Sequence, residues 1–213
     1  MKKGCILCLL ISVISLPLIA QNIIYSNLKE LLTQHGDTTA VLRVEKRSRN
    51  QIVLTGGADY RITAGDDESM CRRLKKRCFA VRDEKGNLYL NCRKLRYKKL
   101  RFGAWYAPAV QLGKNIYFCA MPLGSVIGGN FVEEDDVKLG GNIGDALAAS
   151  SLVTKRVCYE LNGETGKVDF LGKDRMLQLL KNYPELKQAY LKDDSQEAKH
   201  TFKYLLELSL IHI

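Results

Sequence analysis

Histidine and tryptophan are nearly absent: the 213 residues hold three His and one Trp. His35, His200 and His212 share no local motif with a cysteine, serine or carboxylate, so the sequence writes out no nucleophile–base grouping. Past residue 20 there is no C-x-x-C spacing; with so few histidines, this excludes the usual ligand pattern of a zinc site. Also missing past residue 20 is any apolar run long enough for a transmembrane helix. No 20–50-residue repeat is present, which excludes solenoids and propellers. Nucleotide-binding loops occur only as fragments. Gly140-Gly141-Asn142-Ile143-Gly144 lacks both a G-x-G opening and a preceding strand, and Gly163-Glu164-Thr165-Gly166-Lys167 ends like a phosphate loop without its length. The second reads better as a hairpin turn. No cofactor is expected.

What the chain does have begins at its start. Lys2 and Lys3 precede an apolar run from Ile6 to Ile19, with Pro17 shortly before a cut between Ala20 and Gln21. That layout is a secretory signal peptide, because the run is short for a membrane span and ends in a small residue. A lipoprotein would carry its cysteine at the cut, whereas Cys8 lies inside the run. At the other end, Leu208 to Ile213 back-translates as CTG TCT CTT ATA CAC ATC, the end of a transposase adapter. Residues 208–213 are therefore expected to be a non-native tail, and residues 21–207 a single domain of ordinary size.

Removing Lys2 and Lys3 lowers the formal net charge from +10 to +8. The excess gathers in one stretch: Arg72, Arg73, Lys75, Lys76, Arg77, Arg93, Lys94, Arg96, Lys98, Lys99 and Arg101. All but Arg77 are taken as candidate anion-binding residues. A basic surface attracts anionic lipid, acidic polysaccharide or nucleic acid alike, and export argues against nucleic acid. The plainer reading is that these are the solvated faces of a helix and two strands.

Hydrophobic patterning indicates an α+β domain: mainly an antiparallel sheet of hairpins, a short N-terminal helix and a C-terminal helical segment. Ser26 caps a helix carrying Leu28, Leu31 and Leu32. Strands are expected over 38–45, 51–55, 60–63, 100–106, 110–112 and 115–121. A basic helix starts at Asp66-Asp67-Glu68. Residues 79–82 and 88–91 flank Glu84-Lys85-Gly86, a three-residue loop that needs Gly86 left-handed. That register pairs Arg82 with Leu88 and Ala80 with Leu90, and its apolar faces place the hairpin inside the sheet. Carried outward, it sets Cys78 opposite Cys92 in a non-hydrogen-bonded pair, within disulfide reach. The alternative is five buried thiols at Cys71, Cys78, Cys92, Cys119 and Cys158; in either case an odd count leaves one unpaired. A second hairpin is expected over 154–171, and helices after Asp174, Pro184 and Ser195. Gly140, Gly144 and Ala148 make a smooth helical stripe, too polar in context to cross a bilayer. The aromatics Phe102, Trp105, Tyr106, Tyr117 and Phe118 suit either a ligand groove or a core.

Leu88-Tyr89-Leu90-Asn91, Phe102-Gly103 through Trp105-Tyr106-Ala107, the Gly140–Ala149 block, Arg156-Val157-Cys158-Tyr159 with its Asn162-Gly163 turn, and Leu179-Leu180 through Pro184-Glu185-Leu186 together resemble an uncharacterised family of exported proteins from gut Gram-negative bacteria. The resemblance implies an envelope location and assigns no catalytic residue. The leading expectation is a non-catalytic binding or structural module of the periplasm or outer-membrane surface. Its partner would be an envelope protein, a glycan or an anionic lipid surface. The alternatives are an envelope hydrolase acting on glycan or cell-wall material, and a binder of anionic lipid or lipopolysaccharide.

Overall fold

The hairpin expected around Gly86 forms as its sequence dictates. In the computed structural model, which describes residues 21–48, 50–52, 57–98, 100–120, 157–193 and 198–211, strands β5 (Ala80–Arg82) and β6 (Leu88–Asn91) pair Ala80 with Leu90 and Arg82 with Leu88. Asp83 N donates to Asn87 O at 2.9 Å and Gly86 has φ +83°. The pair lies inside the sheet, between β1 (Asn22–Tyr25) and β9 (Tyr106–Leu112). From β9 the sheet continues through β10 (Asn115–Ala120) and β11 (Val157–Leu161) to β12 (Val168–Phe170); from β1 it ends at β2 (Asp37–Thr39). The hairpin of β3 (Arg43–Lys46) and β4 (Tyr60–Thr63) joins through Tyr60, which faces Tyr106. All pairings are antiparallel, so the fold class is α+β with an antiparallel sheet.

Both sheet faces are buried, by different partners. One face gathers Tyr25, Leu88, Leu90, Ala107, Phe118, Tyr159 and Leu161 into a single core, with Phe102 edge-on to Phe118 and Tyr159. A separate ribbon, β7 (Arg96–Tyr97) and β8 (Leu100–Arg101), contributes Tyr97 to that core. The opposite face carries two smaller cores. Ile24, Val81 and Tyr89 pack against Leu74 of helix α2 (Glu68–Lys76). Tyr117 and the Cys119/Cys158 pair pack against Met176 of α3 (Lys173–Leu179) and against Tyr204, Leu205 and Leu208 of α5 (Ala198–Ile211). Leu208 falls in the segment set apart as a tail on sequence grounds; its side chain is 1 % exposed. Helix α4 (Pro184–Lys192) opens with proline in its first turn, and α1 (Leu28–Leu32) is the short N-terminal helix. None of the described helices is long and apolar enough to cross a membrane.

Several local expectations change. Residues 38–45 form two strands, β2 and β3, with a break between them. Gln51 and Ile52 are helical rather than extended. Ser48 N donates to Gln51 Oε1 at 2.9 Å while Gln51 N donates to Ser48 Oγ at 3.3 Å, a reciprocal cap that starts a helical turn. Asn27, not Ser26, caps α1: its Oδ1 accepts Glu30 N at 2.9 Å, and Glu30 Oε2 in turn accepts Ser26 N at 2.7 Å. Asp174 lies in the first turn of α3, whose cap is Gly172. Residues 100–106 are not one strand but the end of the β7–β8 ribbon, a connection, and the start of β9.

The proposed Cys78–Cys92 bridge is not formed; both are free, and the disulfide joins Cys119 to Cys158. Phe79 and Ala80, adjacent in sequence, contribute to the same core, so alternation breaks there and Cys78 falls into the core on the other face. Cys92 remains with Leu90 and begins a 3₁₀ turn, Cys92–Lys94. Cys119 and Cys158, by contrast, face each other across β10 and β11 with Cα atoms 4.2 Å apart. Cys158 turns its carbonyl away, to Leu171 N on the β12 side, so this is a non-hydrogen-bonded pair, the closest approach an antiparallel ladder offers.

Candidate anion-binding surface

Helix α2 places the first four candidates. Asp67 caps it by accepting Met70 N at 2.9 Å, Leu74 turns inward fully buried, and Arg72, Lys75 and Lys76 are exposed while Arg73 is half-buried. Two of the four are already paired: Arg72 with Glu68 on the same helix, and Arg73 with Asp37 of β2. Lys75 and Lys76 have no carboxylate partner among the described residues.

Arg93 and Lys94 sit on the 3₁₀ turn, which Asn91 fixes against the end of α2. Asn91 is 2 % exposed. Its Oδ1 accepts Arg93 N at 3.1 Å, and its Nδ2 donates to Leu74 O at 3.2 Å and Cys78 O at 2.9 Å. Tyr106 adds a hydroxyl bond to Leu74 O at 2.7 Å. Lys94 Nζ then reaches Arg77 O at 3.3 Å, where an ammonium meets the negative end of the helix dipole. The structure thus brings the 72–77 and 93–94 segments together. Burial at this junction pushes the Cys78 thiol up to about 11 and that of Cys92 up to about 12, and raises the Tyr106 hydroxyl well above its ordinary value. These groups are protonated and hold the scaffold rather than react.

Arg96, Lys98 and Arg101 belong to the β7–β8 ribbon, which packs beside β12 and the 3₁₀ turn. Arg96 faces Arg101 directly. Lys98 occupies the turn with φ +52° and its ammonium 5.4 Å from the Tyr97 ring centroid. Lys99, Ala20, the acidic run at 133–136 and the Gly140–Ala148 stripe lie outside the described residues; Gln21, just after the expected cut, is exposed.

Three polar constellations escaped the sequence reading. Glu160 on β11, 9 % exposed, accepts Arg175 Nε at 2.8 Å and Nη2 at 2.9 Å, Asn115 Nδ2 at 2.6 Å and the Tyr117 hydroxyl at 3.0 Å. The Arg175 hydrogen bonds lead in holding the Glu160 carboxyl below its usual range against the opposing effect of burial, while burial and Glu160 push Tyr117 up to about 12. Arg47, buried, donates to Ala58 O and Gln51 O and lies 4.9 Å from the Trp105 ring centroid, with Arg61 at 5.8 Å; burial lowers its pKa. His200 Nδ1 sits 2.8 Å from Asp193 Oδ2, which also accepts the Tyr204 hydroxyl at 3.4 Å, tying α5 to the end of α4. Polar partners brought together from different elements leave no periodic signal, so only the fold reveals these groups. His35 is exposed, its ring nitrogen 2.7 Å from Thr33 O. Phe102, Tyr106, Tyr117 and Phe118 are core residues and Trp105 is half-buried, so no exposed aromatic groove is formed by them. Among the described residues no group of three or more His, Cys, Asp or Glu is placed to hold a metal.

No curated protein matches the chain, and no solved structure matches it. Over residues 23–212 it matches the model of a family of unknown function, DUF6563, and the chain belongs to that family.

Proposed function

We propose that this protein is a non-catalytic binding module of the cell envelope, exported by its leader and active as the chain that begins at Gln21. Its exposed basic residues would engage an anionic component of the envelope. One observation carries the reading: Lys75, Lys76, Arg93, Lys94, Arg96, Lys98 and Arg101 are all exposed and have no carboxylate partner among the described residues. Surface cations that serve only solubility are usually interspersed with acids. Unpaired cations of one sign instead raise the local concentration of anionic partners. Here Lys75 and Lys76 ride on α2 against one sheet face and Arg96, Lys98 and Arg101 on the ribbon against the other, with Arg93 and Lys94 on the 3₁₀ turn that lies between them in the chain. The facing Cys119–Cys158 pair supports an oxidising compartment, because such bridges persist outside the cytosol.

The test has two arms. Fractionation with thiol trapping reads location: the reading expects an envelope fraction with Cys119 and Cys158 oxidised. Binding of the purified protein to anionic vesicles or immobilised heparin reads the surface: retention at low salt should fall steeply as salt rises. Cytosolic protein with reduced cysteines would refute the address. Lack of retention on every anionic matrix at low salt would refute the binding role.

A further inference from the structure

The Arg96/Arg101 pair works against the element that carries it. β7 and β8 pair at two positions only, Arg96 with Arg101 and Tyr97 with Leu100. Directly opposed residues share one face of a ribbon, and like charges there destabilise the ladder. Both arginines are exposed, and neither has a carboxylate partner among the described residues. The turn adds a second local cost. Lys98 adopts φ +52°, a conformation that glycine and asparagine enter more easily. Positive charge is therefore kept at three positions of a six-residue ribbon where neutral residues would fold better. The inner side of the same ribbon is firmly held: Tyr97 is 5 % exposed, its ring lies 5.6 Å from that of Tyr159, and the following Phe102 is fully buried.

We infer that Arg96 and Arg101 form a clamp for a phosphate group, and that the occupant is the headgroup layer of an anionic phospholipid surface. This rests on the basic-face reading above and names its ligand. Two guanidinium forks on one face match the oxygens of a phosphate, which arginine grips bidentately where lysine supplies only a point charge. The occupant follows from shape. A nucleic acid or other polymer is tracked along a groove with aromatic platforms for stacking; this ribbon has two residues per strand, and its one described aromatic, Tyr97, is turned into the core. A headgroup layer brings closely spaced phosphates to a short outward face, and Lys98 adds to the attraction.

The experiment is co-sedimentation of the protein with vesicles of phosphatidylglycerol in phosphatidylcholine, against phosphatidylcholine alone, with inorganic phosphate and duplex DNA as further probes. The double variant Arg96→Gln/Arg101→Gln should bind the anionic vesicles roughly 30-fold more weakly. Lys181→Gln/Lys192→Gln, an equal loss of exposed charge outside the basic surface, should change binding less than about threefold. Because the arginine change removes a repulsion, its melting temperature should match or exceed that of the parent, which separates lost binding from lost folding. Arg96→Lys/Arg101→Lys keeps the charge and removes the forks, and should still lose several-fold. Equal losses in the two glutamine doubles would reduce the effect to a diffuse field: the clamp falls while the basic-face reading stands. Saturable binding of inorganic phosphate or DNA without vesicle binding would overturn the lipid assignment. Failure of the parent protein to bind any of these anions would overturn the clamp, and failure on immobilised heparin as well would overturn both readings.

Discussion

Arg175→Ala should be costly although its side chain is partly exposed, and the reason is the carboxylate it abandons. Glu160 is 9 % exposed, faces Tyr117 on β10 and Asp169 on β12, and takes two hydrogen bonds from Arg175. Removing one partner of a buried ion pair costs about 3–5 kcal/mol, because the remaining charge is left uncompensated. Two features reduce that here. The Arg175 side chain is 42 % exposed, so water enters the gap, and Asn115 and Tyr117 still donate to Glu160 Oε1. We expect about 2–3 kcal/mol at pH 7, a fall in melting temperature of about 5–10 °C for a domain of this size. Glu160→Gln should cost only about 1 kcal/mol, since the arginine it frees can hydrate and the neutral amide tolerates burial. Adding Glu160→Gln to Arg175→Ala should restore part of the loss. The pH dependence has a fixed sign. The Glu160 carboxyl is held below its unfolded value by Arg175. Its contribution is therefore full above that unfolded value, near 4.3 for a free glutamate, and is lost as pH falls through the folded one. The gap between parent and Arg175→Ala should accordingly be widest near neutrality and close as the solution is acidified below about pH 4. Thermal melts from pH 7 down to pH 3 decide it. A constant gap across that range, or a double variant worse than Arg175→Ala alone, would show that the buried charge is not the cause.

Cysteine labelling gives a second outcome. In protein lacking residues 1–20, native alkylation at mild pH should modify half-buried Cys71 and spare Cys78 and Cys92, whose thiols are buried and raised to about 11 and about 12; denaturation should add those two, and only reduction should add Cys119 and Cys158. Mass spectrometry that finds Cys78 linked to Cys92 would contradict the assigned bridge. Replacing Cys119 and Cys158 by alanine should lower stability by about 3–4 kcal/mol, the chain-entropy value for a link spanning 39 residues, measured by denaturant titration. Gly163→Ala should destabilise by about 2 kcal/mol or more, because a Cβ there overlaps the Lys114 carbonyl where two hairpin turns meet; an unchanged denaturation midpoint would mean that the turns are not in contact. Lys98→Gly should stabilise the ribbon by up to about 1 kcal/mol by relieving the left-handed lysine, and a loss of stability would argue against that turn geometry.

Local structure was legible where the sequence itself carries the constraint. The Glu84-Lys85-Gly86 loop dictates a left-handed glycine, so the β5–β6 register followed residue by residue, and apolar residues on both faces of that hairpin placed it inside the sheet. The disulfide was not legible for the opposite reason. Cys78 and Cys92 lie beyond the hairpin's regular part, and one irregularity at Phe79–Ala80 reverses the face of everything before it, as expected for a side-chain period of two. Cys119 and Cys158 meet through the pairing of β10 with β11, strands separated by 36 residues of chain. Both cysteines enter the core that holds Tyr117, Met176 and Leu205, and no tight turn in the sequence announces their pairing.

The basic face was legible as composition but not as geometry, and a missing turn signal explains why. A two-residue hairpin loop usually announces itself with Asn-Gly, Asp-Gly or another glycine pair. Lys98-Lys99 offers none of these, so residues 100–106 read as one strand and Arg96 falls outside it. In the folded chain Lys98 nonetheless occupies a turn, and Tyr97 and Phe102, before and after it, are both drawn into the aromatic cluster around Tyr159. Burial on the inner side then fixes what the outer side must present. Tyr97 is turned inward, so its neighbour Arg96 is turned outward, and the register sets Arg101 directly across from it. Residues that compete poorly for the turn and repel each other across the ladder are held in place by apolar contacts on the other face. That division of labour, with the core supplying the stability that the charged face gives up, is what supports the proposed clamp: a site that departs from local folding preference needs a compensating interaction elsewhere, and an anionic surface would supply the other half of the compensation when bound.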